Sequence, residues 1–169
     1  MPTIIRLPEV IRLTGKSSSS IYSDIEMGRF SRSVSLGTRS KGWIKNEVTL
    51  WILKKMRERD RLFGRQFSLL PMRPDQADSL SIIRLPKVIL RTGKSRSTIY
   101  SDIQKGRFPR PVRLGARSAG WIENEVALWI LGRIRERERS PIGRIHSLPI
   151  GSDQRDPTIH VSRDAHPRK

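Results

Sequence analysis

Ser95-Arg96-Ser97-Thr98, followed by Tyr100 and Ser101, set a row of hydroxyls around one guanidinium at the start of an apolar-periodic segment. Such a row hydrogen-bonds to polar edges and anionic oxygens. A guanidinium can fork onto the O6/N7 edge of guanine, worth roughly 1–3 kcal/mol of discrimination. Hydroxyls read several bases and also grip phosphate, and the free N–H groups of a helix start suit a phosphate as well. Nucleophilic catalysis is a poor fit, because no base stands near these serines to activate one. Each residue also has a plainer use: Ser95 as a helix N-cap, Tyr100 as packing against a later helix, Arg96 as a solvated charge.

A second set follows. Lys105, Arg107 and Arg110 precede a short extended segment, Arg113 lies within it, and Arg117 and Ser118 sit at its turn. Cations here suit backbone phosphates, which position a protein but carry little sequence information. An arginine at such a turn also suits a narrow, A·T-rich minor groove.

These residues occur in a module present twice. Residues 4–61 and 82–139 align without gaps at an offset of 78, with about 40 of 58 positions identical. The chain therefore divides into a first module (3–61), a linker (62–81), a second module (82–139) and a tail (140–169). The tail has no periodicity and is expected to be disordered. The formal net charge is +18. The first repeat carries 13 Lys+Arg against 6 Asp+Glu, or +7, and the second 14 against 5, or +9. Charge placed on folded modules predicts a shaped polyanion-binding surface. Nucleic acid fits it better than an anionic membrane, since no stretch pairs a basic face with a broad apolar one.

The positioning elements repeat as well. Pro8 at a first helical turn, apolar Leu7, Val10 and Ile11, and a stop at Gly15 predict a short helix. Ser17 caps a second helix with an Ile21, Tyr22 and Ile25 stripe, ended by Gly28. Pro109 and Pro111 force extended backbone, Val112 and Leu114 alternate with Arg113, and a turn leads to Gly120-Trp121-Ile122, which makes a two-stranded hairpin. Asn124 is the expected cap of a third helix carrying Val126, Trp129, Ile130 and Ile134, with a charged end from Arg133 to Arg139. The tryptophan pairs read as core. The fold class is mainly α with small β-hairpins (α+β): two tandem winged helix-turn-helix modules.

No cysteine is present, so disulfides, thiol chemistry and Cys-ligated zinc are excluded. His146, His160 and His166 lie in the tail without metal-ligand spacing, and no glycine loop cradles phosphate. Asp24, Asp102, Glu47 and Glu125 are read as helix-start acids that serve capping and the helix dipole. No catalytic residue, metal or cofactor is expected. No signal pattern is apparent, and no apolar run approaches the roughly 18 residues of a spanning helix. A cytoplasmic protein is the expectation.

The string LPKVILRTGKSRSTIYSDIQKGRFPRPVRLGARSAGWIENEVALWI, and its partner LPEVIRLTGKSSSSIYSDIEMGRF…GWIKNEVTLWI, resemble the AlpA family of phage-type DNA-binding regulators. The resemblance covers about two-thirds of the chain. It implies a MerR/excisionase-like winged helix-turn-helix that binds promoter or attachment-site DNA in bacteria and their mobile elements. The N-terminal residues of the second helix would then meet base edges: Ser95, Arg96, Ser97, Thr98, Tyr100 and Ser101, with Lys105, Arg107, Arg110, Arg113, Arg117 and Ser118 on the wing side.

The first module departs where it matters. Its helix begins Ser17-Ser18-Ser19-Ser20, with Tyr22 and Ser23. Ser31 and Ser33 replace the prolines, and Ser35 replaces Arg113. Arg29, Arg32, Arg39 and Ser40 remain, and Lys41 is added. The first module is expected to hold phosphates and the second to choose the site. A flexible 20-residue linker spans roughly 25 Å on average and about 65 Å extended, against about 34 Å for one DNA turn. Adjacent half-sites of double-stranded DNA are therefore in reach of one monomer, and a homodimer is the alternative. A transcriptional regulator of a prophage or mobile element is the leading reading. An excisionase-like factor that bends attachment-site DNA is the alternative, with an integrase or RNA polymerase as further partner. An RNA binder ranks lower, because no aromatic platform for stacking bases stands out.

Overall fold

The computed structural model describes residues 2–64 and 80–139. Of the expected linker, 62–81, residues 65–79 lie outside the described residues, as does the expected disordered tail with its histidines. The linker's described ends are not linker: Leu62 and Phe63 belong to the third helix of the first repeat, and Leu80 and Ser81 are buried.

The first repeat runs β1 (Ile4–Ile5), α1 (Leu7–Thr14), α2 (Ser18–Glu26), β2 (Val34–Gly37), β3 (Ser40–Ile44) and α3 (Lys45–Phe63). The second runs β4 (Ile82–Ile83), α4 (Leu85–Thr92), α5 (Arg96–Gln104), β5 (Val112–Gly115), β6 (Ser118–Ile122) and α6 (Glu123–Arg139). The local signals act as read. Pro8 occupies the first turn of α1, and Gly15 at φ 64° closes it by donating its N–H to Ile11 O. That left-handed φ is one an L side chain resists. Ser17 caps α2 by accepting from Ser20 N, and Ser95 caps α5 by accepting from Thr98 N.

Two expectations need correction. The wing is not a hairpin alone: a lead-in strand pairs antiparallel with its return strand, giving sheet orders β1-β3-β2 and β4-β6-β5. Ile4 lies opposite Ile44, and Ile82 opposite Ile122. The β-branched pairs suit an extended strand, but two residues are too short to show a period. Nor does Asn124 cap the third helix, which already begins at Glu123. The preceding backbone does this work. Glu123 N donates to Ser81 O and Lys45 N to Thr3 O, so the chain entering each lead-in strand closes the helix start.

Each copy packs its helices on the sheet through tryptophan. Trp43 and Trp121 are buried, with Tyr22 and Tyr100 edge-on at 6.2 Å. Trp51 meets Phe30 at 5.2 Å and Trp129 meets Phe108 at 4.9 Å. Trp129 departs from the core expectation: it is only partly buried, whereas its counterpart Trp51 is covered.

That difference arises because the two copies share a core within one compact unit, residues 1–135. The second wing lies on the first copy's long helix. Val112 and Leu114 of β5, with Leu80, Ile82 and Ile122, join Trp51, Ile52 and Met56 of α3 in one buried cluster. Gly15 belongs to the contact, since a Cβ there would stand 2.8 Å from Ile82 O. Lys16 Nζ donates to Leu114 O at 2.6 Å. Beneath them, Arg59 forks onto Glu125, Nη1–Oε2 at 2.6 Å and Nη2–Oε1 at 2.8 Å, and also donates to Arg110 O. Burial pushes the Glu125 carboxyl up and Arg59 pulls against it. Burial likewise opposes the Arg59 charge, but Glu125 and Asp60 more than offset this.

Removing one partner of a buried pair strands the other, at about 3–5 kcal/mol. Glu125→Ala should therefore lower unfolding free energy by about that much in a urea titration. The double change Arg59→Met with Glu125→Leu should recover most of the loss, because it removes both charges and keeps the volume.

Candidate nucleic-acid interface

The turn into each second helix is fixed by an ion pair and a threonine. Thr14 Oγ1 donates to Val10 O at 2.7 Å and accepts from Lys16 N. Lys16 Nζ then reaches Asp24 at 2.9 Å, and Lys94 reaches Asp102 at 2.8 Å. Asp24 and Asp102 are thus corrected: they stand in the C-terminal half of their helices and bind the lysine of the preceding turn, so helix-start capping does not explain them. Glu47 and Glu125 do lie in first helical turns, but Glu125 is buried and held by Arg59 of the other copy, so the helix dipole does not explain it.

The clamp leaves the other face of the helix open. Ser95, Arg96, Ser97, Thr98 and Tyr100 are exposed and Ser101 half-buried. Ser95 Oγ is both cap and hub, 3.0 Å from Ser97 Oγ and 2.8 Å from Thr98 Oγ1. Arg96 lies over the Tyr100 ring at 5.7 Å. Tyr100 serves two ends: its ring edge meets Trp121 while more than a third of it stays exposed. In the first copy Ser17, Ser19, Ser20 and Tyr22 are exposed, with Ser18 and Ser23 half-buried. The N-cap Ser17 Oγ lies 2.9 Å from Ser20 Oγ.

On the wing side, Lys105, Arg107, Arg113 and Arg117 are exposed and Ser118 half-buried. Arg107 stands 3.6 Å from Asp102. Arg113 points away from the core, as its alternation with Val112 and Leu114 predicts. It borders clefts shared with Lys55 and Glu58 of the first copy. Arg110 lies elsewhere: its guanidinium stacks on Phe63 at 4.6 Å and its carbonyl accepts from Arg59, so it belongs to the contact between copies. In the first copy Arg32, Arg39 and Lys41 are exposed, Ser40 is half-buried, and Arg29 is drawn 2.9 Å from Asp24.

The wing and the second helix meet at one place. A cleft in the first copy is lined by Tyr22, by Arg39, Ser40 and Lys41 of the wing turn, and by Arg6. Arg6 Nη1 donates to Ser40 Oγ at 2.7 Å. Sequence reasoning missed Arg6. Its signal was a lone arginine between β-branched residues and a proline, which the third strand brings beside the wing. Cation-lined, with hydroxyls and few carboxylates, this surface suits an anionic polymer. Among the described residues no group of three or more His, Cys, Asp or Glu could hold a metal ion. None of the described helices is long and apolar enough to cross a membrane.

A helix-turn-helix followed by a small wing and a third helix defines a winged helix-turn-helix protein, here in two tandem copies. The family model for the "Prophage CP4-57 regulatory protein (AlpA)" matches residues 3–56 and again 81–134, and the chain belongs to the AlpA family. It is 47% identical over 57 residues to "Uncharacterized protein ORF88" of Enterobacteria phage P4, a span covering 34% of this chain and 65% of that one, just under two thirds. It is 40% identical over 63 residues to the "DNA-binding transcriptional activator AlpA" of Escherichia coli (strain K12), covering 34% of this chain and 90% of the relative. No solved structure matches the chain.

Burial disfavours the Asp24 charge, but Lys16 and Arg29 outweigh it and hold the carboxyl below its ordinary value; Lys94 does the same for Asp102. A lowered folded pKa contributes stability that is present above the unfolded value and lost as pH falls through the folded one. Thermal midpoints should therefore drop on acidification below the ordinary aspartate range. Asp24→Asn should start lower at neutral pH and show a flatter acid limb.

Proposed function

We propose that the chain binds double-stranded DNA through the second helix and wing of each copy and regulates transcription of a prophage or mobile element. The observation that carries this is the open, uncompensated start of α5. Arg96 and four hydroxyls stand exposed there, while the acid of that helix, Asp102, is turned away onto Lys94. The name of the Escherichia coli relative supports the same reading. Arg96 is the base-reading residue, with Ser97, Thr98 and Ser101 as adaptable contacts and Ser95 presenting the helix start to a phosphate. Tyr100, Lys105, Arg107, Arg113, Arg117 and Ser118 hold the backbone. In the first copy Ser17, Ser18, Ser19, Ser20, Tyr22 and Ser23, with Arg29, Arg32, Arg39, Ser40 and Lys41, provide a contact dominated by phosphate, because no guanidinium stands at the helix start. The protein acts without a cofactor in the bacterial cytoplasm, at the nucleoid when bound, and its tail is available to an integrase or RNA polymerase.

An excisionase-like role is the second reading. What favours it is the packed contact between copies, which would hold two winged modules at a set angle on DNA rather than let them follow a straight duplex. A gel-shift series with the site placed at different points along a fragment separates the two readings. Strong position dependence means bending.

The first test is protection of the protein's own upstream DNA against random duplex at low and near-physiological salt. A site that survives the higher salt supports specific regulation. Binding to every fragment that collapses with salt is phosphate attraction alone and rejects it. Within that assay, Arg96→Ala should cost roughly 1–3 kcal/mol at one base position and relax selectivity there. Arg117→Ala should weaken all duplexes alike and reduce the salt slope by roughly 0.9. Ser18→Ala should leave selectivity unchanged.

A further inference from the structure

The contact between the copies is not symmetric. It joins the long-helix face of the first copy to the wing face of the second, two different surfaces of the same module. Each copy therefore has one surface left over, and these are the complementary pair.

The leftover surfaces carry the residues of the contact already made. On the second copy, Trp129, Ile130 and Ile134 of α6 correspond to Trp51, Ile52 and Met56. Met56 is 5% exposed, and Ile134 is 39%. On the first copy, Ile4, Val34 and Leu36 correspond to Ile82, Val112 and Leu114. The first three are 45%, 38% and 44% exposed, the other three 1%, 0% and 3%. Ile4, Val34 and Leu36 are the same residue types as Ile82, Val112 and Leu114, which are buried where a neighbour lies on them, whereas the first three are open.

The polar partners are duplicated too. Lys16 divides its ammonium between Asp24 and Leu114 O. Its counterpart Lys94 has Asp102 and lies over the Trp129 ring, and the carbonyl corresponding to Leu114 O is that of Leu36. The forked pair Arg59–Glu125 has its counterparts in Arg137 and Glu47. A Cβ on Gly15 would strike Ile82 O, whereas one on Gly93, at the same place in the second copy, would meet nothing within 4 Å. The surface is not retained throughout: Leu80, buried in the contact, corresponds to the exposed Pro2, Pro111 to Ser33, Met56 to Ile134, and Phe63, on which Arg110 lies, to Pro141 in the sequence. The tryptophan, Ile52, Val112 and Leu114 positions and the Arg59–Glu125 pair are kept.

We infer that the first copy's wing of one chain docks on the α6 face of another, repeating between chains the contact that joins the copies within one. Val34 and Leu36 would take the places of Val112 and Leu114. Glu47 would meet the arginine at 137. A contact between two different surfaces does not close on itself as a two-fold dimer does; unless its rotation makes a ring, it continues head to tail. The occupant is a second copy of this chain, and the inference stands whether or not the protein binds DNA.

The test is sedimentation of the full chain, without DNA, over a wide concentration range at roughly 0.5 M salt, where repulsion between strongly basic chains is screened within a few ångströms. The weight-average mass should climb with concentration from 19.5 kDa past that of two chains. Leu36→Asp and Ile134→Asp each alter an exposed side chain and leave the internal contact whole. Each variant alone should stay at one chain mass, with an unchanged circular dichroism spectrum. Mixed in equal amounts, they should form a dimer and grow no further, because each retains one good surface. Overturning results are a single one-chain mass throughout, a plateau at two chains for the unaltered protein, association that survives either substitution, or no dimer on mixing.

Discussion

A module of fewer than 60 residues has little interior, and much of what it has here is spent on two tryptophans and the residues around them. The constraint on this protein is that α3 needs something over Trp51, Ile52 and Met56, and the second copy's wing supplies it. With that cover in place, Lys16 and Arg59 can be buried as charged groups, because a carbonyl and a carboxylate of the neighbouring copy receive them. Without it, the same residues would be a partly open apolar strip edged by cations, as on α6, where Trp129 and Ile130 are half-buried and Ile134 is exposed. The tandem arrangement is thus a matter of packing as much as of linking.

The exposed basic surface of the second helices and wings depends on this indirectly. Lys16 holds the turn between α1 and α2 to Asp24, and the same ammonium touches the second wing through Leu114 O. The start of α2 is therefore joined to the wing of the other copy. Arg110 shows the same sharing from the other side, its cationic end laid on Phe63 rather than offered to solvent. Some basic residues of this highly charged chain serve the contact between copies, and others, among them Arg96 at the start of α5 and Arg39, Lys41 and Arg117 at the wing turns, are exposed.

Much of the architecture was legible in the sequence because each element has a local cause. Pro8, Gly15, Ser17 and Gly28 punctuate the helices, and the Val112-Arg113-Leu114 alternation sets the strand faces. What escaped was non-local. Two-residue strands carry no period, so nothing in the sequence marked Ile4–Ile5 and Ile82–Ile83 as strands. Asp24 and Asp102 were misassigned because their lysines lie eight residues back, across a turn whose geometry the sequence does not spell out. The contact between copies left almost no linear trace: Trp51 and Trp129, or Val34 and Val112, are identical residues with different surroundings. The start of α5 was legible, since Ser95 caps it. Arg6 was not, because only the third strand brings it to Ser40.

Trp43 has an indole N–H that is buried and has no partner among the described residues, whereas its twin Trp121 donates to Pro109 O at 3.0 Å. The acceptor is lost where Ser31 and Ser33 replace two prolines that hold the backbone extended. A buried donor left without an acceptor costs about 1–3 kcal/mol. The second copy carries an unpaired buried donor of its own, Arg110 Nε, where its guanidinium lies on Phe63. The unmet donors thus fall at different places, beside the open first wing in one copy and within the contact in the other. Opening of the uncovered first wing should cost less than opening of the covered second wing, and amide exchange would read the difference.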